Sequence, residues 1–425
     1  MISPMQTRSL FSGMRARRLG LALALLVASL PSQAQTYTVI HEFGGFPNDG
    51  RMPTAPLIED AQGNLYGTTY GGGLYGGGVV FKLDANGNET ILHNFLTGAF
   101  SEIGSNPAGG VVRDGAGNLY GTTENGGGNP NTAECPWDNG CGVLFKITAT
   151  NDYQVLRPFG GKWGSLPNTS LFAASSGILY GTTQSGGPDA DGSLYSVDPA
   201  TEEVTFIHSF DGHVSETSGL VEDAQGNLWT TAASGGIYRC WPGYEVCGAL
   251  VEFRADNNYL GSGDALAFPF KSDGVHARGG LVVDTEGTFY GTTQNGGNFA
   301  CSDGCGVVFK FDPSTGLETV LHWFSGLGGG AFPVAGVVRD SLGNLYGTTQ
   351  FGGKTSTAGG GYGIVFKLDT LGNLTVLHRF DGTDGAQPQA NLLLDSSGTL
   401  YGTTAYGGST ACKNGCGVVF KITPQ

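Results

Sequence analysis

The chain has 425 residues, 75 of them Gly, with 13% charged residues and a formal net charge of -15. An acidic balance of this size repels phosphate backbones and anionic lipid headgroups, which argues against nucleic acid and membrane surfaces as partners. Length alone suggests two or three domains, and the glycine content a disordered chain, but both readings ignore periodicity.

In chain order, residues 1–34 come first. They hold Arg8, Arg15, Arg17 and Arg18, the apolar run LGLALALLVASL (19–30), and Ser32 and Ala34 ahead of Gln35. A basic start, a short apolar core and small residues at the exit read as a secretory signal peptide. The run falls short of the roughly 20 apolar residues of a membrane-spanning helix. These residues carry four Arg and no acid, so -15 less four leaves -19 on residues 35–425. No second apolar run follows and no C-terminal anchor is visible after FKITPQ. The expectation is one secreted domain over 35–425 (extracellular, with the periplasm as the other compartment), monomeric, without membrane insertion after cleavage.

The string GNLYGTT at 63–69 then recurs. Its tyrosine returns as Tyr66, Tyr120, Tyr180, Tyr290, Tyr346 and Tyr401, with Trp229 in a degenerate copy, at spacings of 54, 60, 49, 61, 56 and 55 residues. Around Tyr346 four strand-like runs follow one another: 334–340, NLYGTT, 364–368 and 374–380. Asp340–Gly343 forms a turn between the first two, since Asp bonds its own backbone and Gly accepts positive φ. Alternating aromatic and β-branched residues make the other runs strands. Six copies have a fourth strand, the weakest being ALAFPF at 265–270, and the seventh lacks one. The missing piece stands at the start of the mature chain as YTVIHEF, 37–43. A ring uses it to complete the last blade and removes an exposed sheet edge. The chain is therefore expected to be all-β, a seven-bladed β-propeller of four-stranded antiparallel blades with 1+3 closure. A linear β-solenoid is the rival architecture, but its ends need caps rather than an exchanged strand.

Seven-fold repetition assigns most of the motif to shape. His41, His93, His208, His322 and His378 share one position in the fourth strand, with Arg157 and Phe268 in the other blades, and are expected to be packed, hydrogen-bonded strand residues spread around the rim. The cysteines fall in four local pairs between second and third strands: Cys135–Cys141, Cys240–Cys247, Cys301–Cys305 and Cys412–Cys416. Exported chains favour disulfides, and each pair lies in a different copy with no His nearby, so four staples of exposed loops are expected in preference to zinc sites. Loops joining strands two and three share a face with the blade-to-blade loops, and irregular loops on a rigid scaffold carry function. Trp137, Trp163, Trp241, Tyr244, His213, Glu216, Asp273 and His276 are the candidate binding residues there. No catalytic residue, metal or cofactor is assigned.

The string GNLYGTT-xxGG, GVVFKL and TVLHxFxG resembles the GloVer tandem-repeat family of exported bacterial proteins, over nearly the whole mature chain. The resemblance implies a surface or secreted propeller and carries no established activity. A weaker likeness links DxxGNLW to NHL-type and sensor propellers. Two functions remain open: a module that binds an extracellular glycan or protein through the stapled face, or a polysaccharide lyase or hydrolase at the channel mouth. Glu102, His213, Glu216, Asp273 and His276 are the charged candidates for the second, but they spread over separate connections and form no carboxylate pair.

Overall fold

The computed structural model describes residues 35–424 except 46, 99–100, 129–134, 136–138, 211–213, 236–247, 255–265, 268–273, 299 and 355–359. It is a seven-bladed propeller of antiparallel sheets. The sixth blade shows the plan: Val338–Arg339, Leu345–Thr349, Ile364–Leu368 and Leu374–Arg379, from the centre outwards. Thr36–Glu42 pairs with Val418–Thr423, so the start of the described chain completes the seventh blade as expected.

Two elements differ from the sequence reading. The innermost strand is two residues, Val338–Arg339, where 334–340 was expected. Ahead of it, Val334 and Ala335 turn to line the central channel, and the Ala335 carbonyl accepts a bond from Thr292 of the preceding blade. In the fourth blade only Leu266–Ala267 of the expected 265–270 is described, paired with Ala249 and Leu250. The outer strands also bulge. Pairing skips Ile40, Leu92, Leu156, Ile207, Leu321 and Leu377, each one residue before the histidine position. A bulge raises local twist and re-aims the residues after it.

No single core holds the ring. Seven apolar clusters each join two neighbouring blades. Tyr66, Val80 and Phe95, for example, pack on Val111, Leu119, Val143 and Phe145 of the next blade. At the seam, Phe43, Leu57, Leu65 and Phe81 meet Cys416 and Val419. Among the described residues, the phenylalanines ending the outer strands (Phe43, Phe95, Phe159, Phe210, Phe324 and Phe380) are fully or almost fully buried, and burying such a ring contributes about 1.5–3 kcal/mol.

The last four letters of the recurrent heptad each have a physical role. The tyrosine hydroxyl donates to the aspartate that opens the turn before it, as in Tyr66 to Asp60 at 2.9 Å and Tyr346 to Asp340 at 3.0 Å; in the degenerate copy the Trp229 indole N–H does the same to Asp223 at 2.9 Å. The glycine lies under an aromatic ring of the third strand. A methyl group at Gly121 would come 2.6 Å from the Phe145 ring, closer than atoms can approach. Thr230 stands at this position in the fourth blade, and there the facing residue is Val251 instead of an aromatic ring. The first threonine ties blades together: Thr68 donates to the Gly109 carbonyl at 2.9 Å, Thr231 to Gly279 at 3.0 Å, and Thr403 to Ala55 across the seam at 3.3 Å. The second closes the loop that follows, as in Thr69 to Gly71 and Thr404 to Tyr406.

The rim histidines are packed as expected, but hydrogen bonding is not general. His93 stacks on Tyr153 of the next blade at 3.8 Å and His378 on Tyr37 at 3.6 Å. His378 bonds Asp384, whereas His93 Nε2 is buried with no partner among the described residues. Burial alone pushes His93 down to about 4.

Two outcomes follow from these contacts. By denaturant titration, G121A lowers stability by about 1–3 kcal/mol through overpacking, and G121A/F145V loses less than the two single changes together; strictly additive losses would separate the glycine from the ring. A histidine held neutral by the fold contributes stability that is complete above its unfolded value near 6.5 and is lost as pH falls towards about 4. Stability of H93F, which installs the residue found naturally as Phe268, therefore declines less steeply than wild type between pH 6.5 and 4.

Candidate functional site at the mouth of the central channel

On one face, each blade-to-blade loop pairs with the loop between strands two and three of the blade it enters. The bridges are Ser105 with Asn125, Ser165 with Ser185, Val275 with Asn295, Ala331 with Phe351 and Ala386 with Tyr406. The double glycines beneath them hold backbone against backbone. A side chain at Gly127 (φ 82°) would meet the Gly142 carbonyl at 2.3 Å. Only glycine fits such a position.

Three disulfides, Cys135–Cys141, Cys301–Cys305 and Cys412–Cys416, form as the spacing predicts. Cys240–Cys247 lies outside the described residues. The loops enclosed by the staples are exposed at Asn139, Ser302, Lys413 and Asn414, but Cys141, Cys305 and Cys416 are essentially inaccessible and belong to the apolar clusters between blades. Their carbonyls accept N–H groups from the next blade, Leu166 on Cys141, Phe332 on Cys305 and Met52 on Cys416.

Those three N–H donors share an unusual backbone. Met52, Asn106, Leu166, His276, Phe332 and Gln387 all have φ between 53° and 58°. For residues with a side chain this left-handed conformation costs on the order of 1–3 kcal/mol. All but His276 precede a proline. Two backbone bonds hold each of the proline-preceding residues, one to the preceding blade and one from its own. In Phe332 the N–H donates to Cys305 and the carbonyl accepts from Gln350.

Two residues further on, Thr54, Ala108, Asn168, Arg278, Val334 and Gln389 line the central channel, a cavity of about 310 Å³ to which all seven blades contribute. Frame and contents contrast here. The prolines, glycines and threonines around the channel repeat, while the side chains presented at these two positions are nearly all different. Arg278 is the one charged side chain among the described residues lining the channel.

A second polar set follows the paired threonines. Gln184 accepts from the channel-lining Asn168 at 3.2 Å. Burial, then the Glu124 charge, pushes Tyr70 up to about 12, and burial raises Glu124 itself. Asn106 donates to the Tyr70 carbonyl at 2.8 Å and accepts from Asn125 at 3.3 Å.

Of the expected binding residues, His276 and Trp163 have described side chains. His276 belongs to the left-handed set, its Nδ1 3.1 Å from Asn295 Oδ1. Trp163 serves the frame: Arg157 lies 4.0 Å over its ring, Phe206 packs edge-on, and its carbonyl accepts from Ser193. Trp137, Trp241, Tyr244, His213, Asp273 and the Glu216 side chain lie outside the described residues. Sequence reasoning passed over Arg278, Asn168, Gln184 and Gln389. The signal lay beside the repeated proline, where seven otherwise alignable copies disagree.

The family model of the Gloeobacter/Verrucomicrobia repeat matches residues 26–174, 131–244 and 279–425. The chain belongs to this family. No curated protein matches it in sequence. Among solved structures, the Gloeobacter/Verrucomicrobia repeat chain is similar to the extracellular domain named for a hybrid two-component system of B. thetaiotaomicron, with a TM-score of 0.52 and 14% identity over 88% of this chain and 40% of that one. It is also similar to a luciferin-regenerating enzyme, at 0.43 and 16% over 74% and 90%. TolB from Acinetobacter baumannii gives 0.38 and 14% over 75% and 64%. At such identities the likeness concerns the fold alone.

Reduction of the disulfides should raise amide hydrogen exchange at Met52, Leu166 and Phe332, whose acceptors are cysteine carbonyls. Asn106 and Gln387 donate to Gly77 and Tyr362 in loops without a described disulfide and serve as internal controls. Equal acceleration at all five, read by mass spectrometry or NMR, would remove the disulfides from the blade contacts.

Proposed function

We infer that this protein is an exported binding module that receives a glycan at the channel mouth on its cysteine-bearing face. The supporting observation is the contrast between a repeated frame and unrepeated contents. Rigid, partly strained backbone presents the amides of Asn168 and Gln389 and the Arg278 guanidinium around the channel, with His276 two residues before Arg278. Amides and guanidinium groups suit sugar hydroxyls, and a pre-organised frame lowers the ordering cost of binding. The disulfides fit an oxidising compartment, and the basic and apolar leader at 1–34 supplies the export route.

The rival reading, a polysaccharide lyase or hydrolase at the same mouth, needs an acid–base pair. Burial raises Glu124, but neither it nor any other described carboxylate lines the channel. Binding therefore stands ahead of turnover, and a protein partner stands behind a glycan because a cavity of about 310 Å³ is of small-ligand size.

A glycan array combined with a depolymerisation screen on the purified protein tests this. Retention of a glycan without release of reducing or unsaturated ends is expected, with affinity about 10- to 100-fold weaker in R278A, the range for a lost hydrogen bond to a charged group. Chain cleavage would replace the binding reading with the enzymatic one. An array without a hit would transfer the face to a protein ligand.

A further inference from the structure

At the rim position holding the five histidines, the residue facing it from the next blade varies, and a tyrosine stacks there at two blade boundaries. Between the sixth and seventh blades, His378 stacks on Tyr37 at 3.6 Å and bonds Asp384 at 2.9 Å, a closed arrangement. Between the first and second, His93 stacks on Tyr153. At the seam between the seventh and first, the loop aspartate is retained as Asp49, but the tyrosine position is occupied by Glu89. His41, Asp49 and Glu89 then face one another from three separate segments: the N-terminal strand, the loop that follows it, and the outer strand of the first blade.

The geometry is open where that at His378 is closed. One ligand atom from each residue lies within 4.8 Å of the other two. His41 Nε2 is 3.6 Å from Asp49 Oδ2 and 3.8 Å from Glu89 Oε2, beyond hydrogen-bond length. Two ligands on a tetrahedral ion, at about 2.0–2.2 Å from it, stand roughly 3.3–3.5 Å apart. The three side chains are only 14–18% exposed, and His41 Nε2 and Glu89 Oε1 are buried with no hydrogen-bond partner among the described residues. Gly44 and Gly50 donate N–H groups to the Asp49 carboxylate and fix its direction, as outer-shell donors do at metal sites.

We propose that His41, Asp49 and Glu89 bind one divalent transition-metal ion of the zinc class at the seam where the ring closes. One imidazole nitrogen with two carboxylates is a donor set for zinc or manganese rather than for calcium, which takes six to eight oxygens. The ion's charge offsets two half-buried carboxylates that otherwise face each other. Bound there, the ion fastens the N-terminal strand to the first blade and closes the ring a second time.

The repeat supplies its own controls. E89Y installs the residue found as Tyr153 and Tyr37, and H41F the residue found as Phe268, so both changes have a precedent in the same fold. With the chelator-treated full chain, isothermal titration with zinc chloride and metal analysis after dialysis are expected to give one ion per chain and a raised thermal midpoint. In E89Y and in H41F the affinity falls at least tenfold and zinc no longer shifts the midpoint, while circular dichroism confirms the fold; H378F, at the closed boundary, binds as wild type does. No zinc on the wild-type chain, equal affinity in E89Y and H41F, or an equal loss in H378F would overturn the assignment.

Discussion

The ring stands because one strand from the start of the described chain hydrogen-bonds to one from its end. Thr36–Glu42 lies along Val418–Thr423, and Phe43 beyond it is buried between the seventh and first blades. Without that pairing the last sheet would present an unpaired edge, and the apolar side chains of the first blade would lack the layer that covers them. Each of the seven apolar clusters joins two blades, so a blade removed from the ring would leave both its faces uncovered.

Given closure, the repeated heptad acts as a coupling element. Its tyrosine fixes the turn before it, its glycine lets a third-strand ring lie flat, and its threonines reach the next blade and the next loop. The fourth blade shows that these letters are physically linked. Where the glycine becomes Thr230, the ring above it shrinks to Val251, and where tyrosine becomes Trp229, the indole N–H still finds Asp223. The repeat conserves a contact set within the chain and lets residues change in pairs.

Rigidity is concentrated on the face where side chains vary. Left-handed backbone at Met52, Asn106, Leu166, His276, Phe332 and Gln387 persists because hydrogen bonds to neighbouring loops over-determine it, and in three cases a disulfide fixes the loop of the accepting carbonyl. Strain held in this way places differing side chains at equivalent points around one opening. A scaffold of this kind can change its ligand without changing its frame.

The sequence by itself determined the number of blades, the strand order, the 1+3 closure and three of the described cysteine pairs. These are written in period, spacing and the position of an orphaned strand, all local or countable properties. It also placed the histidines on the rim. It overstated the innermost strand and did not show that the second cysteine of each described pair is buried between blades. The channel residues Asn168, Arg278 and Gln389, and the meeting of His41 with Asp49 and Glu89, were decided only by the tertiary structure. Curling the sheets into a ring brings together side chains from separate repeats, and no spacing along the chain encodes how close they come.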